Sequence, residues 1–118
     1  MVCEENDNLA QIGVIIEAIP GTVSFAANTL SNVVTITLPP GKYFIFAQLG
    51  TLPATDIVSV GVSVPYVSLL KQNKFGNNLG FYYSTSATIT LLLHATLNID
   101  AQVTFVSVSD YIQAIKLR

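Results

Sequence analysis

This chain of 118 residues holds one histidine, His94, many serines, and three aspartates in its body, Asp56, Asp100 and Asp110. These are the residue types of a Ser/His/Asp hydrolase, in which a carboxylate orients an imidazole that takes the serine's proton. Nothing in their spacing supports that chemistry. There is no GxSxG elbow, Walker loop, HExxH pair or EF-hand loop. A lone histidine among threonines is more often a hydrogen-bonded sheet or interface residue than a base. The three aspartates sit singly at apparent turns, where short carboxylates bond the local backbone. General acid and base work needs two carboxyls at a defined separation, and a hard metal needs a cage of oxygens; neither pattern is present. His94 repeated around a threefold axis is the one arrangement left to a metal. Cys3 is the single cysteine, which excludes an internal disulfide framework. The expectation is a chain that is not an enzyme, with no catalytic residue, no metal and no cofactor.

Composition points to contact surfaces. Hydrophobic residues make up 51% of the chain and charged residues 10%, and mean hydropathy is +0.57. From residue 75 to residue 99 there is no formal charge, yet Thr and Ser alternate with apolar residues. That is the pattern of a sheet buried on one face and nearly uncharged on the other, which favours a partner surface. A net charge of −2 with five scattered cations argues against a nucleic-acid grip. No run reaches the roughly 18 apolar residues of a membrane span. The opening MVCEENDN is acidic and polar, unlike a signal peptide. Residues 1–11 are expected to be an arm, either a solvated leader of the kind common at polar termini or, through Glu4, Glu5 and Asp7, a docking strap on a neighbouring subunit, and residues 12–118 a single domain.

Period-two patterning with turn residues every 8–12 positions or so predicts an all-β sandwich or barrel of about eight to ten antiparallel strands. Strands are expected at 12–17, 22–26, 33–38, 42–50, 58–64, 88–97, 103–109 and 111–118, with no convincing helix. In the strand at 42–50, Tyr43, Ile45, Ala47 and Leu49 oppose Phe44, Phe46 and Gln48. Both faces are apolar, so both are expected to be covered. In the strand at 88–97, Leu92 and His94 interrupt a threonine-lined face. The polar KQNKFGNN is expected to be a loop, exposing Lys71, Asn73, Lys74, Phe75, Asn77 and Asn78 for contact. Tyr66, Phe75, Tyr82 and Tyr83 offer the large rigid surfaces of a sugar- or receptor-binding patch, although core packing is the expected role for most of them.

The segment VVTITLPPGKYFIFA, beginning at Val33, resembles the strand, proline–glycine turn and aromatic strand of trimeric jelly rolls of the C1q and tumour-necrosis-factor type, especially their bacteriophage versions in virion proteins. GTVSFAANTLSN before it and QAIKLR at the end resemble the opening and closing strands of the same modules. The resemblance implies a jelly-roll β-sandwich that forms a homotrimer, with Tyr43, Phe44 and Phe46 at the packing between sheets or subunits. Leu92 and His94 join them as interface candidates. It further implies a virion location on the outer capsid surface, as a decoration or cement subunit touching the major capsid protein or other virion proteins. The alternative is a tail-fibre tip that meets a host surface receptor. Nucleic acid and membrane are not expected partners.

Overall fold

The computed structural model describes residues 12–118. It contains ten strands: β1 Ile15–Ala18, β2 Thr22–Phe25, β3 Ser31–Leu38, β4 Gly41–Leu49, β5 Ile57–Val64, β6 Ser68–Lys74, β7 Asn78–Thr85, β8 Ile89–Leu97, β9 Ala101–Thr104 and β10 Asp110–Lys116, with one short 3-10 turn at Ala54–Asp56. All pairings are antiparallel. One four-stranded sheet has the order β1-β10-β4-β7, the other β3-β8-β5-β6, and β2 pairs with β9 in a short ribbon. The chain crosses between the sheets after β3, β4, β6 and β7 and turns back within one sheet only at β5–β6. This is the winding of a jelly roll.

The core lies between the sheets. Alternation aims Tyr43, Ile45, Ala47 and Leu49 of β4 inward, against Leu91, Leu93, Ala95 and Leu97 of β8, and all eight are fully buried. Val60, Val62, Ile112 and Ala114 complete the layer without exposure. Phe25 and Phe105 meet edge to face, centroids 6.5 Å apart, and seal the end near the β2–β9 ribbon. On the outward face of β3-β8-β5-β6, Thr37 and Thr90 share a hydroxyl hydrogen bond of 3.1 Å; Thr22 and Thr104 do the same across the ribbon. These threonines are cross-strand pairs that satisfy each other.

Two strand expectations change. KQNKFGNN is not one loop: Lys71, Asn73 and Lys74 lie on β6, Phe75 and Asn77 form the turn with Gly76, and Asn78 opens β7. β6 is an edge strand exposed along most of its length, so polar residues cost it little, and its lysines discourage edge-to-edge pairing. The strand expected at 103–109 ends at Thr104, and residues 105–109 turn into β10.

Candidate functional site

Four strands place their outward side chains in cross-strand rows. On the sheet β1-β10-β4-β7, Ile15 lies opposite Ile115, Ile115 opposite Phe44, and Phe44 opposite Tyr82. This row of two isoleucines, a phenylalanine and a tyrosine spans the whole sheet without a charge. The next row runs Glu17, Gln113, Phe46, Gly80, and the one after it includes Tyr111, Gln48 and Asn78. Phe44 packs edge to face on Tyr82 at 5.2 Å, and Phe46 is tilted against Tyr111 at 6.1 Å. A side chain at Gly80 would come within 2.9 Å of the Phe44 ring, so glycine there leaves the ring room to lean across β7. Gln113 donates to Glu17 at 2.6 Å at the edge of the patch. Ile15 and Tyr82 are largely exposed, at 55% and 78%. The expectation that both faces of β4 are covered is thus corrected within one chain: Phe44 and Phe46 are only half-buried.

The remaining interface candidates fall elsewhere. Tyr43 is fully buried in the core, where its hydroxyl donates to the Pro39 carbonyl at 2.6 Å. Burial pushes its phenol pKa up and keeps that donor protonated. It packs between the sheets and has no surface to offer a partner. Leu92 is half-buried on the outward face of β8. His94 points to the same face yet is only 4% exposed. It is paired with Asn32 on one side and Gly61 on the other, and its ring sits so close over Gly61 that an added Cβ would lie 2.4 Å from Cε1. Its Nδ1 is buried without a hydrogen-bond partner among the described residues. Among the described residues no three of His, Cys, Asp and Glu cluster as metal ligands.

Two measurable consequences follow from this close contact. Gly61→Ala should destabilise the fold by about 1–3 kcal/mol, since the buried ring cannot move aside freely. His94→Ala should suppress most of that loss in the double variant, a coupling readable from urea midpoints. Burial also holds the His94 pKa below its ordinary 6.5. The unfolded chain therefore takes up a proton before the folded one does, and stability is full above pH ~6.5 and falls as pH drops below it. With one histidine in the chain, the Tm decline as pH falls below about 6.5 should flatten in His94→Gln.

Asp110 is the polar residue that sequence reasoning undervalued. It is fully buried and accepts from Thr51 N at 2.9 Å, Val106 N at 2.8 Å, Ser109 Oγ at 3.1 Å and the Thr51 hydroxyl. It ties the segment after β4 to the turn before β10. Asp100 plays the smaller turn role, accepting from Ala27 N at 2.7 Å. Phe75 is 78% exposed with φ of 64°, while Asn73 Nδ2 donates to the Asn78 carbonyl at 2.6 Å across the turn. Glu4, Glu5 and Asp7 lie outside the described residues.

Fold and surface together define a jelly-roll β-sandwich with an open aromatic sheet face. The chain is similar to the crystal structure of the Yersinia pseudotuberculosis-derived mitogen, with a TM-score of 0.51 at 12% identity over 91% of this chain and 88% of that one. At that identity the likeness concerns the fold. No protein-family model matches the chain, and no curated protein sequence matches it.

Proposed function

We propose that this chain is a phage virion structural subunit, a capsid decoration or cement protein that works as a homotrimer and contacts the major capsid protein or neighbouring virion proteins. The observation that carries the proposal is the uncharged outward row Ile15, Ile115, Phe44 and Tyr82, flanked by Phe46 and Tyr111. Aromatic side chains on a solvent-facing sheet are the anchors from which interfaces are built, and identical copies around a closed symmetry axis bury them without an external partner. The phage setting rests on the resemblance of VVTITLPPGKYFIFA to virion jelly rolls. A cement subunit acts by binding the assembled shell in preference to its dissociated parts, which stabilises the shell by mass action.

A second reading, the receptor-binding tip of a tail fibre, is favoured by Tyr66 and Phe75, exposed aromatics held in turns at positive φ. Cryo-electron microscopy of the source particle separates the two. Copies spread over the shell lattice, each touching several capsid subunits, are expected for a cement protein. Density confined to the ends of tail appendages would replace that reading with the tip.

A further inference from the structure

The opposite sheet carries a hollow of about 400 Å³ on its outward face, near the small end of the roughly 300–1,000 Å³ range of small-molecule sites. Its floor is one cross-strand row, Thr35 of β3, Leu92 of β8 and Ser63 of β5. Leu30 and Asn32 wall one side, Pro65 and Tyr66 the other. None of these residues is charged. The two threonine pairs of this fold bond each other. By contrast, among the described residues the side chains of Asn32, Thr35 and Ser63 have no hydrogen-bond partner within the chain, so their donors and acceptors are free for a guest.

Tyr66 is the second observation. Val67 N donates to the Val64 carbonyl at 3.0 Å, closing a four-residue turn with Pro65 second and Tyr66 third. Proline fixes a negative φ at the second position, and Tyr66 has φ of 62°, so the turn is type II, whose third position favours glycine or asparagine. A bulky residue in that conformation is an outlier. The turn places Tyr66, fully exposed, at the rim of the hollow.

We infer that this hollow is a binding site for a neutral saccharide, one or two pyranose rings in size. A sugar ring has an apolar C–H face, which suits the Tyr66 ring, Leu92, Leu30 and Pro65, and a rim of hydroxyls, which suits Asn32, Thr35 and Ser63. The uncharged lining offers no charge-assisted pairing to a phosphate or a carboxylate. The site lies on the sheet opposite the aromatic face, so it stays open to solvent when that face is covered. It is independent of whether the protein is cement or tip.

The test is an amide chemical-shift titration of the full chain with methyl glycosides of glucose, galactose, mannose and N-acetylglucosamine, run to about 50 mM because monosaccharides bind in the millimolar range. At least one glycoside should give saturable shifts centred on Thr35, Ser63, Leu92 and the Tyr66 turn. Tyr66→Ala should weaken that binding at least tenfold, and Asn32→Ala should weaken it independently. Tyr66→Gly should lose binding while its Tm is no lower than that of the parent, because glycine relieves the turn. Three results would each overturn the inference: no saturable shift with any of the four, shifts undiminished in Tyr66→Ala, or glucuronic acid binding more tightly than the neutral glycosides.

Discussion

Asp110→Ala should lower stability by about 3–4 kcal/mol, read as a fall in Tm of roughly 10–20 °C. The carboxylate gathers four donors, two of them the backbone amides of Thr51 and Val106, at a position with no exposure. Alanine removes the acceptor and leaves both part-buried amides without their partner in the chain. Each such group costs about 1–3 kcal/mol, and part of that is recovered as the loops relax. Of a total near 5–15 kcal/mol for a domain, this is a large share. Asp110→Asn discriminates further. It keeps the shape but turns one acceptor into a donor aimed at donors, so it should cost well over half as much as alanine. Asp100→Ala removes only the exposed bond to Ala27 N and should shift Tm by a few degrees. If Asp110→Ala and Asp100→Ala melt together, the buried knot is not what secures the segment after β4 to the turn before β10.

Why Asp110 escaped the sequence is instructive. A Ser–Asp pair ahead of a strand looks like any turn, and only the approach of Thr51, 59 positions away in the chain, makes it a buried hub. The contact of His94 over Gly61 was equally illegible. His94 and Gly61 meet because β8 and β5 pair in one register, and register between distant strands is not written in either strand alone. What local pattern does dictate was readable: the inward Val34, Ile36 and Leu38 of β3, the inward Tyr43, Ile45, Ala47 and Leu49 of β4, and the inward leucines of β8 follow from period two. The same alternation separated Phe44 and Phe46 from the core set. Their apolar character then implied a cover that the single chain does not supply. KQNKFGNN misled in the opposite sense, because an edge strand exposed on both sides carries the composition of a loop.

Self-association should collapse when Phe44 and Tyr82 are both replaced by lysine. In the proposed trimer the parent sediments at three times its 12.7 kDa chain mass, and the double variant sediments as the single chain. The two rings pack edge to face at 5.2 Å in the middle and at the edge of the uncharged row, where aromatic anchors contribute most of an interface's binding energy. Loss of about 2 kcal/mol or more at each, with two ammonium groups set side by side on one sheet face, predicts a dissociation constant raised at least about a thousandfold. Both side chains point away from the core, so circular dichroism should be that of the parent, with only the modest destabilisation of a lost aromatic pair. Leu69→Lys is the control for added charge. It places one ammonium group, against two in the double variant, at a 55% exposed leucine on the other sheet and should leave the assembled mass unchanged. A parent chain that is monomeric at concentrations near 100 μM, where an interface of even modest affinity is filled, would remove the aromatic face from the mechanism. A variant that stays trimeric would show that the copies meet through another surface. Between those outcomes, mass loss in Phe44→Lys/Tyr82→Lys but not in Leu69→Lys ties assembly to the row from Ile15 to Tyr82 and to no general effect of added charge.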